Sequence, residues 1–257
     1  MPEIEIRTLG RFQIFKQGEE IKNGSWGGRL QQRLLKAIIA RGGVNVDVIQ
    51  LQEDIWPDTD TACGRFKIAL HRLRKALEPD YDSFLGSTYL HLRHDRLSLD
   101  KDLISIDVND FVEHTRQGRK EKESGNTNGA LVQFNQALDL YNGAFLPEED
   151  LAPWAESKRR HLKSEYITAL LSCANLHKQR GANNKAIRLF QKIVQEDPLN
   201  EEVYRCLMTL YVNMKRYNEA LKVFEKCQTQ LKSTLGVEPD PLTVALRKKI
   251  LSIRHFE

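Results

Sequence analysis

Two segments near the C-terminal end repeat each other 34 residues apart: "GANNKAIRLF" and "KRYNEALKVF", with Ala186 answered by Ala220 and Phe190 by Phe224. A fixed period of that length constrains the fold more than composition does. Each copy begins on turn-forming residues and runs into apolar residues at helical spacing. The small Ala lets two helices approach closely, and the Phe fills the groove between one helix pair and the next. One pair cannot bury its own apolar face, so several must stack. A third copy, "GNTNGALVQF", carries Ala130 and Phe134 but lies 56 residues before the Ala186 copy. The stretch between them includes "YNGAFLPEEDLAPWAESKRR", which reads as an irregular loop followed by a long helix.

The period is that of tetratricopeptide repeats. In this register Tyr204, Leu207 and Tyr211 take first-helix packing positions, and Pro198 ends a repeat. A generic helical bundle with coincidental Ala and Phe is the plainer alternative. The helical grammar starts near Asp107, and the chain before it reads differently. Ile4, Ile6, Phe12, Ile14 and Ile21 fall among polar residues, broken by Gly10 and Gly18, which predicts short antiparallel strands. "GGRLQQRLLKAIIARGG" predicts a helix stopped by Gly42 and Gly43. A second helix starts with Asp47 as N-cap and ends before Pro57, and a third, "ACGRFKIALHRLRKAL", ends before Pro79. The segment "YLHLRHDRLSL" alternates around a hairpin turn at His94, Asp95 and Arg96. The expected fold is multidomain: an α+β winged helix-turn-helix over residues 1–103, then an all-α tetratricopeptide-like helical repeat domain over residues 104–257.

The third helix has an unusual outer face. At about 100° per residue, Phe66, Ala69, Leu70, Leu73, Ala76 and Leu77 share one arc. The other arc holds Arg65, Lys67, Ile68, His71, Arg72, Arg74 and Lys75, with no acid before Glu78. A solvated helix face is the ordinary reading of charge. Here the like charges forgo the Glu–Lys support that a solvated helix usually takes. The helix also stands third, ahead of a hairpin carrying Arg93 and Arg96, which is the order of a winged helix whose third helix enters the major groove. The positive charge is local: residues 1–105 hold sixteen Lys and Arg against fifteen Asp and Glu. A local patch suits groove docking and argues against binding to a membrane surface.

The whole chain of 257 residues carries a formal charge of +4, which alone says little about partners. Its four cysteines form no CxxC pair, and Cys173, Cys206 and Cys227 sit in apolar helical patterns, as buried reduced thiols do. The N-terminal "MPEIEIRTLG" is neither a signal peptide nor a membrane span, so a cytoplasmic location is expected. No phosphate loop, nucleophile elbow or HExxH motif occurs, so an enzyme is not expected. His91 and His94, three apart on an expected strand, face opposite sides; neither a metal site nor a cofactor is expected. Trp56 and Trp154 read as packing residues.

"RFKIALHRLRKAL" resembles the recognition helix of OmpR-type winged helices, and "DIWPD" resembles that family's second-helix ending. "DVNDFVEH", "LDLYNGAFLPEEDLAPWAESKRRHL" and "RYNEAL" followed by "LGVEPDP" resemble the bacterial transcriptional activator domain. Together they resemble antibiotic-pathway regulators of the SARP type over nearly the whole chain. That resemblance implies a DNA-binding transcriptional regulator, usually an activator, whose partners are double-stranded DNA and RNA polymerase, acting as a homodimer on DNA. It maps DNA contacts onto Arg65, Lys67, Ile68, His71, Arg72, Arg74 and Lys75, with Arg93 and Arg96 on the wing. Lys67, Ile68, His71 and Lys75 lie opposite the core and suit base reading; Arg65, Arg72 and Arg74 suit phosphates. Arg72 and Arg74 match the family's Arg-Leu-Arg, and for Arg74 two readings stand, pairing with an acid near the core or reaching a phosphate. Asp58, Thr59 and Asp60 fall in the loop that contacts RNA polymerase in that family; a plain acidic turn is the alternative. The hairpin departs from the family's usual wing, with "GSTYLHL" where a Gly-Tyr pair is common. A second class of function remains open: a protein-interaction scaffold using the repeat groove, or the terminal part of a larger regulator.

Overall fold

The computed structural model describes residues 2–22, 28–57 and 61–256. The chain forms two compact units, Met1–His114 with Asp139–Ser164, and Thr115–Leu138 with Glu165–Glu257.

The first unit begins with the alternation noted above. Strands β1 (Ile4–Arg7), β2 (Gln13–Lys16) and β3 (Glu19–Glu20) form an antiparallel meander. Ile4, Ile6 and Ile14 turn inward and are buried, while Glu5 and Arg7 face out. Helix α1 (Arg29–Ala40) buries Leu34, Leu35, Ile38 and Ile39. It stops as expected: Gly42 N–H returns to Ile39 O and Gly43 N–H to Ile38 O, with both glycines at positive φ. This paired closure satisfies carbonyls the helix end leaves free. After β4 (Val46–Asp47), helix α2 (Val48–Ile55) is capped by the Asp47 carboxylate, which accepts from Ile49 N and Gln50 N. Helix α3 (Ala62–Leu77) buries Phe66, Ala69, Leu70, Leu73 and Leu77 and packs on α1 and α2. Trp56 is buried.

Strands β5 (Leu90–Arg93) and β6 (Arg96–Leu99) form the expected hairpin, and β4 joins it in the order β4-β6-β5. His94 and Asp95, at φ 49° and 56°, make a tight two-residue turn. Next comes β7 (Ile104–Ile106), which pairs parallel with β1, Ile4 opposite Ile104 and Ile6 opposite Ile106.

Compactness divides the chain differently from residues 1–103 and 104–257. Strand β7 completes the first sheet. Residues 139–164 return to the same unit: Gly10 N–H donates to Ala144 O at 2.9 Å and Leu146 N–H to Thr8 O at 2.9 Å. Gly10 is required there, since a Cβ would sit 2.7 Å from Asn142 O. Arg159 donates to the carbonyls of Phe145, Leu146 and Glu149, fixing the irregular segment from within. The Asp107 carboxylate accepts from Thr8 N, Thr8 Oγ1 and Leu9 N. Burial raises its pKa, while those bonds and Val108 N–H pull the other way.

The second unit is built from helix pairs. Helix α4 (Asp107–Glu123), whose first turns belong to the first unit, precedes α5 (Thr127–Leu140), and the long α6 (Pro153–Gln179), which also starts in the first unit, precedes α7 (Asn183–Glu196). Then come α8 (Glu201–Asn213), α9 (Tyr217–Leu235) and α10 (Pro241–Phe256). All six repeat residues, Ala130, Phe134, Ala186, Phe190, Ala220 and Phe224, are buried, as are Tyr204, Leu207 and Tyr211. Phe134 fits because residue 118 is glycine: a Cβ there would meet its ring at 2.7 Å. "PDPLT" has a local job. Glu201 accepts from Asp240 N at 2.9 Å and from the buried Thr243 hydroxyl at 2.7 Å, and Arg205 donates to Thr243 at 3.0 Å, tying α10 to α8. Cys173 and Cys227 are buried, with burial pushing their thiols up to about 12 and about 11. Cys206, expected to be buried, is only half-buried. No helix among the described residues is long and apolar enough to cross a membrane.

Candidate nucleic-acid interface

The core arc of α3 is fixed by its apolar residues, so its remaining side chains must point outward. Arg65, Lys67, Ile68, His71, Arg72 and Lys75 are exposed, Ile68 to 57%. Arg65, Lys67 and Arg72 have no ion-pair partner among the described residues. Lys75 Nζ donates to Pro79 O at 3.2 Å, and His71 meets the Tyr81 ring edge-on at 5.7 Å. The face is therefore cationic, without an acid partner among the described residues, and carried on a helix packed against α1 and α2. Uncompensated cations release counterions when they meet phosphates.

Arg74 departs from the expected set. It is half-buried and turns back over the Tyr81 ring. Its guanidinium donates to Tyr81 Oη at 3.2 Å and to Leu90 O at 3.0 Å. It links α3 to the first strand of the hairpin, so its work is positioning. The acceptors are a phenol and a carbonyl, not the acid that one sequence reading offered.

The hairpin is held against the helices. Val48 N–H at the start of α2 donates to Asp95 O at 3.0 Å, and Asp47 stands opposite Arg96 in the β4–β6 register. Arg96 pairs with Asp47 at 3.2 Å, its side chain still 49% exposed. Arg93 is exposed and lies directly across from Arg96. Like charges facing each other across a pair are unfavourable unless an anion is shared. His94 is exposed in the turn beside these residues; the sequence marked it as a turn residue and not as a DNA contact. Its place in a two-residue turn between two arginines was the available signal. His91 is engaged by Asp100, 3.1 Å away, and the same contact leads the lowering of the Asp100 pKa. Asp58, Thr59 and Asp60 lie outside the described residues. Among the described residues no group of three His, Cys, Asp or Glu is placed to hold a metal ion.

Residues 106–251 match the family model "Bacterial transcriptional activator domain". The chain is 24% identical over 250 residues to "Regulatory protein AfsR" of Streptomyces griseus, a match spanning 96% of this chain and 24% of that protein. It is 25% identical over 230 residues to "Regulatory protein DnrI" of Streptomyces peucetius, covering 87% of this chain and 84% of that one. The solved structure of Mycobacterium tuberculosis EmbR in complex with a low-affinity phosphopeptide superposes with a TM-score of 0.78 at 21% identity, covering 98% of this chain and 66% of that chain. That likeness shows the shared fold of winged helix and helical repeats. With the match covering more than half of its length, the chain belongs to the bacterial transcriptional activator domain family, in the arrangement of SARP-type regulators.

Proposed function

We propose that the chain binds specific double-stranded DNA and regulates transcription as an activator. Helix α3 lies in the major groove, with Lys67, Ile68, His71 and Lys75 toward base edges and Arg65 and Arg72 toward phosphates. Arg93 and Arg96 meet the backbone beside an adjacent groove. The chain acts as a homodimer on DNA, and residues 58–60 face RNA polymerase. One observation carries the reading: α3 exposes five basic side chains and Ile68 with no acid among them, while Arg74 braces the hairpin from behind.

Site selection from a random duplex pool, followed by fluorescence anisotropy, tests this. A consensus bound more tightly than unrelated duplex by a factor on the order of 10³ or more supports it. Equal affinity for all sequences contradicts it.

A further inference from the structure

A cavity of about 600 Å³ opens where the end of α1, β4, α2, the hairpin and the start of α6 meet, all within the first compact unit. Its size is that of small-molecule sites. Arg41, Arg96, Lys158 and His161 line it, against one acid, Asp47. Arg41 is already spent on Asp54 and Gln50. Asp47 caps the α2 amides and pairs with Arg96 at 3.2 Å, which still leaves the Arg96 side chain 49% exposed to a second anion. Donors remain. The Ser157 hydroxyl and the His161 ring have no hydrogen-bond partner among the described residues. The Trp154 indole Nε1–H is buried without an acceptor there. A buried donor without an acceptor costs stability, and a ligand oxygen that it meets as the ring shifts toward the cavity would recover that cost. Ala40, Val46 and Pro153 add an apolar wall. Burial pushes the Lys158 ammonium down to about 8, a cost that an anion in the cavity would offset.

We propose that this cavity binds a small aromatic carboxylate, with its anion on Arg96 and His161, an acceptor on the Trp154 indole N–H, and its ring against Ala40, Val46 and Pro153. Arg96 belongs to the hairpin, so the ligand competes with a DNA phosphate for the same guanidinium. Ligand and DNA then weaken each other's binding reciprocally. That consequence rests on the DNA reading above; the site itself does not.

The test uses the full chain labelled with ¹⁵N, its Trp154 indole resonance assigned by Trp154→Phe. Salicylate is the probe and benzyl alcohol the uncharged control. The expected result is a saturable shift of the Trp154 resonance with salicylate, little shift with benzyl alcohol, and binding weakened at least about fivefold by Arg96→Gln and by the surface variant His161→Ala. No saturable shift, an equal shift with the alcohol, or unchanged binding in both variants overturns the site. With the site present, salicylate also weakens binding to the selected duplex; unchanged DNA affinity overturns the antagonism. A chain that binds no duplex refutes the DNA reading while the resonance still decides the site.

Discussion

Helices α3 and α9 are built alike on the inside and differently on the outside. Each buries a stripe of small and large apolar residues, Phe66, Ala69 and Leu73 in α3, Ala220, Phe224 and Leu231 in α9. On its outer side α9 mixes signs, with Glu219, Lys222, Glu225 and Lys226, and Arg216 pairs with Glu219 at 2.9 Å. Helix α3 shows one sign only. The inner faces follow a common packing rule, so they distinguish the two helices poorly. The outer faces answer to different surroundings: water tolerates mixed charge, and a phosphate backbone rewards a single sign.

The largest expected effect breaks the repeat side. Phe134→Ala empties the space between α5 and Gly118 and costs about 3–5 kcal/mol in urea unfolding. Next comes the inner edge of α3. Arg74→Ala leaves Leu90 O and the Tyr81 hydroxyl without their donor and costs about 1–3 kcal/mol of stability. If Arg74 only braces the hairpin, the slope of DNA affinity against salt changes less than it does for Arg72→Ala.

These two variants also mark what the residues alone could say. Gly42, Gly43, Asp47, Pro57 and Pro79 punctuate the helices through local chemistry, so those boundaries were legible. The 34-residue period was legible because each repeat packs by the same rule. Arg74 was not, because its acceptors, Tyr81 Oη and Leu90 O, come together only once the hairpin folds back. Strand β7 was hidden for the same reason: three residues, "ISI", become a strand only beside β1. The 56-residue gap announced an insertion, but not that residues 139–164 would pack against the strands and helices of the winged helix.

Smaller effects sharpen the contrast. Lys158 donates to Ile39 O at 2.8 Å, and its folded pKa of about 8 lies below the ordinary 10.5. Between those values the unfolded chain holds more protons than the folded one, so this group makes stability rise with pH. Lys158→Met flattens that rise in urea melts between about pH 8 and about pH 10. Glu219→Gln, on the mixed face of α9, leaves the melting midpoint within measurement error, as exposed ion pairs usually do.

The central claim is that the outer face of α3 meets DNA, and the affinity of Arg72→Ala for the selected duplex across a salt series tests it most directly. With Arg72 toward a phosphate, the account predicts weaker binding and a salt slope smaller by about one, with the melting temperature unchanged. Unchanged affinity together with an unchanged slope would contradict it.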